Sequence, residues 1–163
     1  MNIRMKFKKH GCMKFIGHLD IMRYFQKAIR RADIDIAYSE GFSPHMIMSF
    51  AAPLGVGLTS EGEYVDLQVN SCASSKAAVD ALNSVMVDGM EVVSFKLLPE
   101  NVKNAMSSVA AADYFVKWRE GYVPENWEEK FNAFLQKEEM LIVKKTKRSE
   151  AEVDLKPMLY KTE

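Results

Sequence analysis

The sequence has little of what staples, anchors or exports a chain. Its two cysteines, Cys12 and Cys72, lie far apart and form no Cys-x-x-Cys pair. That excludes a disulfide framework and a structural zinc site, and leaves two reduced thiols. No run of about 18 uncharged apolar residues occurs, and the basic N-terminus lacks the continuous apolar stretch of a signal peptide. Membrane spanning and secretion are argued against, and a cytoplasmic location is expected. Net charge is missing too, since 22 Lys and Arg balance 22 Asp and Glu. With 48% hydrophobic residues over 163 positions, the chain can bury a core of its own, as one domain or as two small halves.

What is present is unevenly placed. Residues 1–50 hold nine bases against four acids, and the rest of the chain carries the compensating negative charge. The same basic stretch opens the densest motif block: Gly17-His18-Leu19-Asp20, then Ser39-Glu40-Gly41-Phe42-Ser43-Pro44-His45, then Pro53-Leu54-Gly55-Val56-Gly57. Glycines and prolines there force special backbone geometry around two imidazoles, a carboxylate and two hydroxyls, which is the make-up of a binding loop.

Periodicity orders the elements. Residues 2–8 alternate, with Ile3, Met5 and Phe7 on one face, as in a half-buried strand that turns at His10-Gly11. Residues 18–32 switch to helical spacing, with an apolar stripe of Leu19, Met22, Phe25, Ile29 and Ala32. Arg23, Lys27 and Arg30, with Arg31 beside them, form a basic ridge opposite. An extended piece at 34–38 and a loop at 39–45 follow. Strands at 46–51 and 64–69, a helix at 74–86 and a strand at 90–98 complete a strand-helix-strand-strand-helix-strand order. That is the split βαβ plan, so residues 1–98 are expected to form an α+β, ferredoxin-like half with both helices on one face of an antiparallel sheet. Residues 99–163 begin the plan again, with a strand at 114–118, a helix at 125–136 turning Trp127, Phe131, Phe134 and Leu135 inward, and strands at 140–145 and 151–155. The chain stops before a second helix and last strand, so this second ferredoxin-like half is either incomplete or built differently.

The candidate pocket comprises His18, Asp20, Ser39, Gly41, Phe42, Ser43 and His45. His18 starts a helix, where free N–H groups receive anions, yet it also falls on the apolar stripe, where a histidine packs into the core. Asp20 lies three residues before Arg23, a spacing that suits an ion pair. A Ser-His-Asp triad can be assembled from Ser39 or Ser43, His18 or His45, and Asp20, but no nucleophile elbow supports it. No His pair has the spacing of a metal-binding helix, and Gly55-Val56-Gly57 lacks the lysine of a P-loop, so neither a metal nor another cofactor is expected. Arg23, Lys27, Arg30 and Arg31 are spaced to meet nucleic-acid phosphates. The first strand carries no exposed aromatic pair for base stacking.

Residues 3–69, through Phe15-Ile16-Gly17-His18-Leu19-Asp20, Ala28-Ile29-Arg30-Arg31-Ala32, Tyr38-Ser39-Glu40-Gly41-Phe42-Ser43-Pro44-His45 and Ser49-Phe50-Ala51-Ala52-Pro53-Leu54-Gly55-Val56-Gly57, resemble the radical-SAM-linked domain of unknown function. That bacterial family occurs free-standing or fused behind a radical-SAM enzyme. Its pattern more often has Ser where this chain has Gly17, and this chain is the shorter, in keeping with an unfinished second half. The resemblance implies an accessory module for a radical-SAM enzyme as partner. The chain lacks the Cys-x3-Cys-x2-Cys run of such enzymes and is not itself one. A basic ferredoxin-like surface makes RNA the expected substrate class. Two alternatives stand beside this: a metal-independent RNA endonuclease resembling the ferredoxin-like CRISPR-processing type, with His18 and His45 as acid and base, or a protein-interaction module whose loop docks the partner.

Overall fold

In the computed structural model, which describes residues 1–146 and 149–163, the alternation at the start of the chain becomes strand β1, Asn2–Lys9. Ile3, Met5 and Phe7 are buried as expected, but the alternation runs one step further and carries Lys9 onto the same buried face, 2% exposed. β1 sits inside a four-stranded antiparallel sheet. It pairs with β3, Ser60–Gln68, and with β4, Met90–Leu97, while the short β2, Met48–Phe50, pairs with the far side of β3. The order β2-β3-β1-β4, with helices α1 (His18–Arg31) and α2 (Ser75–Val85) between the strands, is the ferredoxin-like arrangement. One compact unit, Met1–Ala112, holds all of this, and a second spans Asp113–Glu163.

The core of the first unit lies between one sheet face and the two helices, with Met5, Phe7, Phe25, Ile29, Val65 and Leu82 at its centre. The buried side of α1 is rotated from the expected stripe: Ile21, Phe25, Ala28 and Ile29 are buried, whereas Leu19 is 62% exposed. Positions i, i+4, i+7 and i+8 meet the sheet together, and Leu19 lies off that line. α1 ends in a Schellman motif. Asp33 adopts φ +55°, its N–H donates to Arg30 O, and the Ile34 N–H donates to Ile29 O at 3.1 Å. The two helices are tied at this end, where Arg31 donates to Val85 O and the Tyr24 hydroxyl receives the Val87 N–H.

Two local devices shape the sheet. The strand expected at 46–51 is confined to Met48–Phe50, because the Ile47 N–H turns to Ala37 O and Met46 bridges only Tyr38. At the outer edge of β4, the Asn83 carboxamide accepts from the Val92 N–H at 2.8 Å and donates to Val92 O at 2.9 Å, standing in for a missing strand partner. The other sheet face carries a bidentate Arg4–Asp66 pair. Residues 98–104 cross that face, held by Arg4 donating to Lys103 O and by the Ala105 N–H donating to Asp66.

The second unit is a helix and a hairpin. Helix α3 spans Trp127–Leu135, and β5, Leu141–Lys145, pairs with β6, Glu150–Asp154. The strand expected at 114–118 does not form: these residues are irregular, and Tyr114, Phe115 and Val116 are exposed. β5 pairs with β6 alone, so no sheet receives them. Phe131 and Phe134 are exposed rather than turned inward, since this helix buries no residue. Trp118 and Trp127 meet edge to face at 6.0 Å. Asp154 joins the hairpin ends by accepting from the Met140 and Lys156 N–H groups, which holds its carboxyl below the usual range. No described helix is long and apolar enough to cross a membrane.

Candidate functional site

Because α1 buries one side in the core, its other side holds the basic ridge in water. Arg23, Lys27, Arg30 and Arg31 are all exposed, as the ridge expects. Arg23 pairs with Asp20 at 3.1 Å, an exposed i, i+3 contact of little energetic weight. Arg31 is engaged with α2 through Val85 O. The Lys27 side chain makes no hydrogen bond or ion pair among the described residues.

His18 is the first residue of α1, after an N-cap glycine, Gly17, that supplies no capping side chain. Its ring does not turn to the helix N-terminus as an anion receptor would. It lies edge-on to Phe50, 5.3 Å between centroids, and lines a cavity of about 10 Å³ with Phe7, Lys9, Ile21 and Glu63, room for about one water. Lys9 shares this cavity, donating to Ile16 O at 2.9 Å. Burial pushes the Lys9 ammonium below its ordinary range, and the Glu63 carboxylate works against that.

The 39–45 loop is closed at its base. The Ser39 N–H donates to His45 O at 2.9 Å, the His45 N–H donates to Ser39 Oγ at 3.1 Å, and Nδ1 of His45 shares a hydrogen bond with the same Oγ at 2.8 Å. Gly41 takes φ +106°, which a side chain would strain. Phe42, at the tip, is fully exposed, and Ser43 is exposed beside it.

These parts do not assemble into one pocket. His18 touches Phe50, while His45 lies five residues earlier on the run into β2, about 16 Å away at strand rise. His18 faces the Lys9 end of β1; His45 lines a different cavity, at the Asn2 end. Asp20 is occupied by Arg23 and reaches neither imidazole. The physical reason is the crossover: α1 begins beside the end of β1 and carries the chain back along it before the loop is made. No cluster of three or more His, Cys, Asp or Glu side chains suited to a metal occurs among the described residues.

Two features belong to no motif. Lys9 is found by continuing the alternation past Phe7. The second is a groove of about 350 Å³ on the sheet face away from the helices, between Asn2, Ser49 and Gln68 on one side and residues 98–104 on the other.

Fold and surfaces together define a ferredoxin-like α+β protein with a charged helix face and a grooved open sheet. The chain belongs to the family described as an uncharacterized protein conserved in bacteria (DUF2344), which matches residues 2–163. No curated protein matches it.

Proposed function

We propose that this protein is a non-catalytic binding module that holds RNA for a radical-SAM enzyme. The observation that carries this reading is the outward face of α1, where Arg23, Lys27 and Arg30 stand exposed at i, i+4 and i+7, with Arg31 exposed beside them, on a helix anchored by its buried side. Fixed charges of this kind bind phosphates by releasing counterions. Lys27, without an ion pair among the described residues, gives up nothing to do so. The partner enzyme is suggested by the likeness of the motif block to the radical-SAM-linked family. The closed 39–45 loop, with Phe42 at its tip, supports docking to that enzyme. Separation of His18 from His45 favours binding over cleavage, because acid–base chemistry at one 2′-hydroxyl needs both groups within hydrogen-bond reach.

The test is binding of bulk tRNA and of duplex DNA at 50 and 200 mM salt, with the Arg23→Ala/Lys27→Ala/Arg30→Ala variant alongside. Affinity for tRNA should exceed that for DNA and fall with salt. Each phosphate neutralised adds about 0.7–0.9 to the log–log salt slope, so the variant should lower that slope by roughly two. Equal affinity and slope in both proteins, or no RNA binding by either, would refute the reading.

A further inference from the structure

We infer that the open-face groove of the first unit is a nucleobase site, an inference that rests on the RNA reading above for its biological sense and assigns RNA a second, uncharged contact. Asn2 and Gln68 pair directly across β1 and β3, and so share the sheet face opposite the helices. Asn101 faces them from the crossing segment, so these three carboxamides line one cavity, together with Asn104, whose Oδ1 accepts from Ser107. None of the three side chains makes a hydrogen bond among the described residues, so their donors and acceptors remain available to a ligand. Leu98 and Val102 supply an apolar wall.

The chemistry narrows the occupant. Asp66 lines the groove, but the Arg4 guanidinium holds it bidentately at 2.8 and 3.0 Å. No lysine or arginine lines the groove, and its one imidazole, His45, is hydrogen-bonded through Nδ1 to Ser39 Oγ. A volume of about 350 Å³ stands at the low end of small-molecule sites, about 300–1,000 Å³, and suits a single nucleoside-sized group rather than a folded partner. Carboxamides over an apolar wall match a flat, neutral ring with donors and acceptors on its edge, and adenine presents the donor–acceptor pair that Asn and Gln read bidentately. Phosphates on α1 would fix position, and this groove would supply base preference.

Uncharged nucleosides isolate the groove from the helix face. Adenosine, guanosine, cytidine and uridine are titrated separately into the 15N-labelled full chain, following the side-chain amide signals of Asn2, Gln68 and Asn101. Adenosine should shift those signals and bind about fivefold or more tightly than uridine. Gln68→Ala and Asn101→Gly should each abolish that preference; glycine is chosen at 101 because the residue holds φ +66°. Adenosine binding no tighter than uridine, or a preference untouched by both variants, overturns the inference. Salt-sensitive tRNA binding that persists in that case leaves the α1 reading standing, while adenosine binding without any tRNA binding leaves the groove and removes the helix face.

Discussion

Replacing Asn83 should unfasten the outer edge of the sheet. Its carboxamide satisfies both backbone groups of Val92, at 2.8 and 2.9 Å, and Val92 is 1% exposed. Asn83→Ala leaves a donor and an acceptor with no partner and little access to water. Each buried orphan costs about 1–3 kcal/mol; with some relief at an edge strand, the pair should cost about 2–4 kcal/mol. At a urea m-value of about 2 kcal/mol/M, the midpoint followed by far-UV circular dichroism falls by about 1–2 M. Hydrogen exchange at the Val92 amide should quicken with it. Asn83→Asp adds a finer test. At neutral pH a carboxylate accepts from the Val92 N–H but cannot donate to Val92 O, and it sets negative charge against that carbonyl. It should therefore destabilise much as alanine does, and recover in acid once the carboxyl carries a proton to donate. An Asn83→Ala loss under about 0.5 kcal/mol with Val92 exchange unchanged would refute the strand-partner role.

Lys9 titrates from below its ordinary range because it is buried. Between that lowered value and about 10.4 the unfolded chain binds more protons than the folded one, so Lys9 makes stability rise with pH through this window. Urea midpoints from pH 8 to 10.5 should show a rise in the parent that Lys9→Met lacks; parallel curves would contradict it. The Asp35 carboxylate accepts from Ser71 and Asn70, which hold it below the usual carboxylate range. Its contribution is present above the ordinary Asp value and lost as pH falls through the folded one; NMR titration of Ser71→Ala should move it back up, and an unmoved titration would deny the hydrogen bond its role. At Asp33, φ +55° in the Schellman motif favours glycine, so Asp33→Gly should be neutral or stabilising and Asp33→Ala should cost about 1 kcal/mol. Equal thermal midpoints for the two would count against strain at that position.

Much of the fold was legible because each element of the first unit carries its own period. Alternation marked β1, the 3.6-residue repeat marked α1, and the helix expected from 74 starts there, with Ser74 capping it by accepting from the Ala77 N–H. The exact buried line of α1 was not legible: Leu19 and Ile21 are equally apolar, and only the packing decides which faces in. The basic ridge was legible as it stands: Arg23, Lys27, Arg30 and Arg31 are all exposed. The segment at 114–118 has strand composition, but composition cannot supply a neighbouring strand. For the site, residue types were readable and juxtaposition was not. His18 and His45 look like partners in a motif block, and the crossover through α1 sends them to opposite ends of one strand. The groove depends on the Asn2–Gln68 register and on a later segment laid across it, pairings separated by most of the unit's length that leave no local pattern.

Both indoles, Trp118 and Trp127, belong to Asp113–Glu163, and Met1–Ala112 contains none. Intrinsic fluorescence excited at the red edge is thus a private signal of one unit, while amide exchange within β4 belongs to the other. A single unlabelled sample carried through a denaturant series then yields two melting curves, and their coincidence or separation measures how much free energy one unit lends the other.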